Sequence, residues 1–146
     1  MSVRNKTKKQ YIDSLNQIDG VFDRHIVFSF KYFTSDDGQS FEDWERENIL
    51  SDLNNKLKNF SSKSKIELLR DKTLEIYEAY PKGSKFSQPK NLMFSGIKWA
   101  RFRVTGRRRL IGFFLDENIL VNTEKADVFF VVFLDKNHLF APSSSL

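Results

Sequence analysis

Apolar residues recur along the chain at two spacings, and the change from one to the other marks the elements. His25–Phe33 (HIVFSFKYF) alternates. Ile26, Phe28, Phe30 and Tyr32 fall on one side and Val27, Ser29, Lys31 and Phe33 on the other, the period of a half-buried pleated strand. The turn formers of TSDDGQS end it. From Ser40 the spacing becomes helical: Leu50, Leu53, Leu57 and Phe60 line one face, with Trp44 further up. SFED predicts a capping box, with Ser40 as N-cap and Asp43 at N3. Acids Glu42, Asp43 and Glu45 precede Lys56 and Lys58, in keeping with the helix dipole. SKIE opens a second helix at Ser64, with Glu67 at N3. Its stripe is Ile66, Leu69, Thr73 and Ile76, and its expected end is about Tyr77, before Pro81.

YPKGSKFSQPKN is loop. Three strands are expected after it: about Lys98–Val104, about Leu110–Leu115 beyond a turn at TGR, and Val128–Leu134. The last is apolar at every position, the pattern of a strand covered on both faces. Near the N-terminus, Tyr11, Leu15 and Ile18 space a short helix over Gln10–Asp19 that stops at Gly20. The fold class predicted is α+β, a helical hairpin packed on a curved, mainly antiparallel sheet in the order β-α-α-β-β-β. Residues 1–24 form a basic N-terminal extension with that short helix, 25–140 a single domain, and 141–146 (APSSSL) a flexible tail.

Composition adds a core rich in aromatic rings, since fifteen of the 146 residues are phenylalanine. The chain has no cysteine. Disulfides, thiolate metal sites and thiol nucleophiles are therefore excluded, and a cytoplasmic location is expected. No apolar run approaches the roughly 18 residues of a membrane span. Two isolated histidines with no carboxylate at ligand spacing predict no metal site, and Gly96, Gly106 and Gly112 fit no nucleotide fingerprint, so no cofactor is expected.

Charge changes the picture most. The net value is only +5, but it concentrates in the first ten residues and in IKWARFRVTGRRRLIGFF, Ile97–Phe114, which carries six basic residues and no acid. Strand alternation sends Trp99, Arg101 and Arg103 to one face and Ala100, Phe102 and Val104 to the other. The second set suits a core under the helices. The first is expected on an uncovered face, continued by Arg107, Arg108 and Arg109. Guanidinium forks match phosphate oxygens and aromatic rings stack on unpaired bases, so Lys98, Trp99, Arg107 and Arg108 are candidate RNA-binding residues. The competing reading pairs these arginines with the acids of the first helix or lays them flat against the sheet as packing. In FLDKNHLF, Phe133–Phe140, His138 is a candidate general acid or base beside the positive patch. The same residues are also good turn chemistry. His25 has no partner near it in sequence and reads as structural.

The order of elements, the arginines of WARFRVTGRRRLIGFF and the histidine of FLDKNHLF together resemble the RelE/ParE superfamily of small bacterial toxins, over about Ile26–Phe140. The resemblance implies a metal-independent endoribonuclease acting on messenger RNA, commonly on the ribosome, with a cognate antitoxin as partner. By position, Arg101, Arg103 or Arg109 would hold the scissile phosphate, His138 would move one proton and Lys136 would be the second group for proton transfer. Some members of the superfamily use a glutamate base, and none is placed here, since Glu117 is in a loop and Glu75 and Glu78 are on the second helix or just after it; Leu139 stands where several members have a tyrosine. Two other readings compete. One is a non-catalytic protein of a phage or mobile element that binds nucleic acid or inhibits host machinery, and the other is the gyrase inhibition of the superfamily's second branch.

Overall fold

The computed structural model describes residues 9–10, 25–116 and 126–142. The expected helix over Gln10–Asp19, apart from Gln10, and most of the tail fall outside them. The domain is α+β. Strand β1 (His25–Ser29) is followed by helices α1 (Phe41–Arg46), α2 (Leu50–Ser61) and α3 (Lys65–Arg70). Strands β2 (Leu74–Ile76), β3 (Ile97–Arg103), β4 (Arg109–Leu115) and β5 (Ala126–Asp135) complete it. The five strands form one mixed sheet in the order β1-β5-β4-β3-β2, antiparallel except for the parallel β1–β5 pair.

Three helices stand where two were expected, and local chemistry explains the extra break. The Ser40 box is present: Ser40 Oγ accepts from the Asp43 N–H at 3.1 Å and Asp43 Oδ2 accepts from the Ser40 N–H at 2.9 Å. The helix then stops at once, because Asn48 takes the left-handed conformation, φ 60°. Ile49 N–H bonds back to Trp44 O, and Asn48 N–H to Glu45 O, the paired bonds of a Schellman ending. The α2 stripe holds, with Leu53 and Phe60 buried and Leu50 and Leu57 packed beside them.

The second expected helix is much shorter than its pattern suggested. Its Ser64 box forms, but Lys72 turns left-handed, φ 66°, and the chain reverses into β2. Thr73 and Ile76 therefore belong to the strand region. Leu68 is the buried residue of α3, while Ile66 and Leu69 are exposed.

Both faces of the sheet are covered. Ala100, Phe102, Leu110, Phe114, Phe129, Val131 and Leu134 meet Trp44, Leu53, Phe60 and Leu68 of the helices. On the opposite face, Trp99, Ile111, Phe113, Val132 and Phe133 lie under Phe86, Leu92 and Phe140. The segment between β2 and β3 makes this lid, together with Phe140 from beyond β5. Tyr80 Oη donates to Phe86 O at 2.8 Å, and Lys85 N–H donates to Leu139 O at 2.9 Å. The face expected to be open is thus closed over most of its length, because the loop's own aromatic rings bury area there.

One irregularity positions the site. The β4–β5 register shifts between Ile111 and Gly112: Ile111 faces Phe133 while Gly112 faces Val131, leaving Val132 as the extra residue. Gly112 is obligatory here, since a Cβ would overlap the Phe130 carbonyl oxygen. Gly112→Ala is expected to lower stability by about 3 kcal/mol in a urea unfolding curve. Gly83→Ala, where a Cβ meets nothing within 4 Å, should move the midpoint little.

Candidate active site

The lid stops short of one end of the sheet. There β3 leaves, β4 enters and β5 ends, and directly opposed residues share a face. Arg103 pairs with Arg109, Arg109 with Asp135, and Arg101 with Glu75 of β2. The cluster is therefore Glu75, Arg101, Arg103, Arg109 and Asp135, joined by Tyr77 beyond β2 and by His138 in the turn after β5.

Arg101 is only 8% exposed. Its Nη1 donates to the carbonyls of Lys72 (3.1 Å) and Thr73 (3.0 Å), and its Nη2 to Glu75 Oε1 at 3.1 Å. The left-handed turn that ends α3 supplies two of these three acceptors. Arg109 is equally buried at 8%, but its Nη1 has only the carbonyls of Gly106 (2.7 Å) and Arg108 (3.0 Å). Its Nε is buried without an acceptor. Among the described residues, Arg101 alone of the five arginines in Arg101–Arg109 forms an ion pair with an acid. Arg103 and Arg107 are exposed, and Arg108 bonds Thr105 Oγ1 at 2.9 Å.

The electrostatics follow from this crowding. Burial, then the guanidiniums of Arg101 and Arg103, pull the Arg109 pKa below the usual arginine value. Burial, then the Glu75 charge, push the Tyr77 hydroxyl up to about 12, so it stays protonated, while Arg101 and Arg109 act in the opposite sense. His138 is half-buried and left-handed at φ 62°. Burial first and Arg109 second lower its pKa, Arg101 and Arg107 add to this, and Asp135 opposes it. At neutral pH the imidazole is therefore neutral and can take a proton.

Several expectations need correction. Trp99 is 3% exposed and packed against Tyr80, Phe113, Phe133 and Phe140, so it offers no platform to a base. Lys136 is turned away, because Glu47 at the end of α1 holds its ammonium at 2.9 and 2.7 Å. Lys98 lies near the far end of β3, paired with Asp116 at 3.8 Å. Arg101, Arg103, Arg109 and His138 do come together. Glu75, Tyr77 and Asp135 join them without having been expected. TLEIY, Thr73–Tyr77, alternates as a strand, and that was the available signal for the first two.

No family model, curated protein or solved structure matches the chain. Among the described residues no three His, Asp or Glu side chains gather to hold a metal ion, and no helix is long and apolar enough to cross a membrane.

The His138 ring resonances should titrate below about 6.5, and the midpoint should rise when sulfate neutralises the neighbouring guanidiniums. A folded-state pKa below the unfolded one means the unfolded chain binds more protons in that window. Stability should therefore be highest above the ordinary histidine range and decline as pH falls through it. His138→Asn, which suits the left-handed backbone, should remove that part of the decline. A midpoint indifferent to saturating sulfate would separate His138 from the arginines.

Proposed function

We propose that this chain is an RNA-binding toxin of RelE/ParE type, a metal-independent endoribonuclease that cleaves messenger RNA, free or on the ribosome, and is held silent by a cognate antitoxin protein. One observation carries the reading. Two buried guanidiniums sit at one end of the sheet, that of Arg109 has an Nε with no acceptor, and a histidine kept neutral stands beside them. A buried donor without a partner is costly, and a phosphate oxygen would supply the missing acceptor. The finer shape belongs to the same proposal, with α2 and α3 as the helical hairpin on a curved sheet. Glu75 then answers to the glutamate that some members of the superfamily use.

The chemistry is transesterification. The ribose 2′-oxygen attacks the adjacent phosphorus, the P–O5′ bond breaks, and the products are a 2′,3′-cyclic phosphate and a 5′-hydroxyl. Neutral His138 accepts the 2′-hydroxyl proton. Arg101 and Arg109 hold the non-bridging oxygens, whose charge grows toward the transition state, so the interaction strengthens there. Tyr77, protonated and set among Glu75, Arg101 and Arg109, supplies a proton to the departing O5′. Exposed Arg103 and Arg107 receive the flanking backbone as point charges.

Purified protein should cut single-stranded or ribosome-bound RNA in the presence of EDTA and leave 2′,3′-cyclic phosphate ends. His138→Asn should lower the cleavage rate by about 10²–10⁴-fold with little change in RNA affinity, whereas Arg109→Ala should weaken both. If RNA binds with a steep salt dependence yet stays intact in both forms, the enzyme is lost and a non-catalytic nucleic-acid binder takes its place.

A further inference from the structure

We propose that Asp135 is a positioning residue for His138, brought to the arginine face by the bulge in β5 and fixing the following turn through its two carboxylate oxygens. The proposal rests on reading that face as a phosphate site.

Phe129 and Val131 pack on the helix side and Phe130 and Val132 on the other. Strict alternation would return Phe133 to the helix side and bury Asp135 under the helices, an acid in an apolar layer. The extra residue at Val132 reverses the phase. Phe133 joins the lid side, Leu134 the helix side, and Asp135 lies opposite Arg109.

Asp135 is 1% exposed, and both its oxygens are used locally. Oδ1 accepts from the Leu139 N–H at 2.9 Å and Oδ2 from the Phe140 N–H at 2.8 Å. These are charge-assisted bonds to the two residues that follow His138. The turn is pinned elsewhere as well: Gln39 Oε1 accepts the Lys136 N–H at 2.6 Å, and Phe140 is fully buried among Tyr77, Tyr80 and Trp99. A histidine at positive φ persists where its surroundings over-determine the backbone. Asp135 clamps the far side of that strained residue while its charge faces Arg109. One side chain thus sets both the direction of the imidazole and part of its field. The charged groups acting on His138 are Arg109, Asp135, Arg101 and Arg107.

Asp135→Asn keeps the size but turns one acceptor into a donor facing a backbone N–H. The folded variant should show shifted His138 ring resonances and a titration midpoint lower than in the parent, since the opposing negative charge is gone. Inorganic phosphate should bind as well or better, while RNA cleavage falls by about 10²-fold. A purely structural acid would lower the melting temperature and leave the His138 midpoint unmoved, which would overturn the proposal. If the variant fails to fold, hydrogen exchange on the unmodified protein decides. Leu139 and Phe140 amides protected like those of β4 support the clamp, and amides exchanging at open-loop rates end it. A chain that cuts no RNA but shows the midpoint shift loses the nuclease reading and retains this one.

Discussion

A guanidinium cannot escape burial by giving up its proton, because its pKa lies too far above any ordinary pH. Two of them, Arg101 and Arg109, are buried at diagonal positions on adjacent strands of this sheet, and the surrounding structure answers that constraint. The turn closing α3 aims the Lys72 and Thr73 carbonyls at Arg101, and the short strand that follows brings Glu75 alongside. The β3–β4 turn folds the Gly106 and Arg108 carbonyls onto Arg109. Arg101 is thereby satisfied. Arg109 is satisfied only in part, and the mutual repulsion with Arg103 remains. The Arg109 Nε is left as a buried donor without an acceptor, a cost that the rest of the fold has to offset.

The aromatic content acquires a purpose in this setting. Stacked and edge-on rings from Trp99, Phe113, Phe133, Phe86 and Phe140 fill the face beneath the β2–β3 segment. They keep most of that face dry and leave the arginine end as its polar limit. The buried arginines thus lie beside an apolar wall, where electrostatic contacts are less screened than on an open surface. That differs from a flat stacking platform, and the burial of Trp99 is what decides it.

Much of the architecture was legible in the chain. Both serine capping boxes, the α2 stripe, the β3–β4 hairpin and the doubly covered β5 follow from spacing and turn chemistry. So does the separation of Arg101 and Arg103 from Ala100 and Phe102. What stayed hidden depended on single residues taking left-handed conformations. Asn48 split one helix, and Lys72 cut short the other, turning a stretch with weak helical spacing into a three-residue strand. Glu75 and Tyr77 reach the site only through that strand. Asp135 needed a bulge, which side-chain periodicity does not reveal before the pairing is known. The lid over Trp99 was hidden for another reason: YPKGSKFSQPKN has loop composition, and its few rings give no period from which to infer a cover.

The parallel pairing of β1 with β5 joins His25 to Ala126 and Ser29 to Phe130, bridging nearly the whole domain. Contacts so distant in sequence close late, after local ones have shortened the loops between them. β5 also pairs with β4 and ends in the turn that carries His138. During synthesis, a nascent chain that has released only β1 to β4 lacks the strand that unites both halves of the sheet, and with it the imidazole. The end of the sheet that gathers the buried arginines and His138 is thus complete only once this last strand is in place.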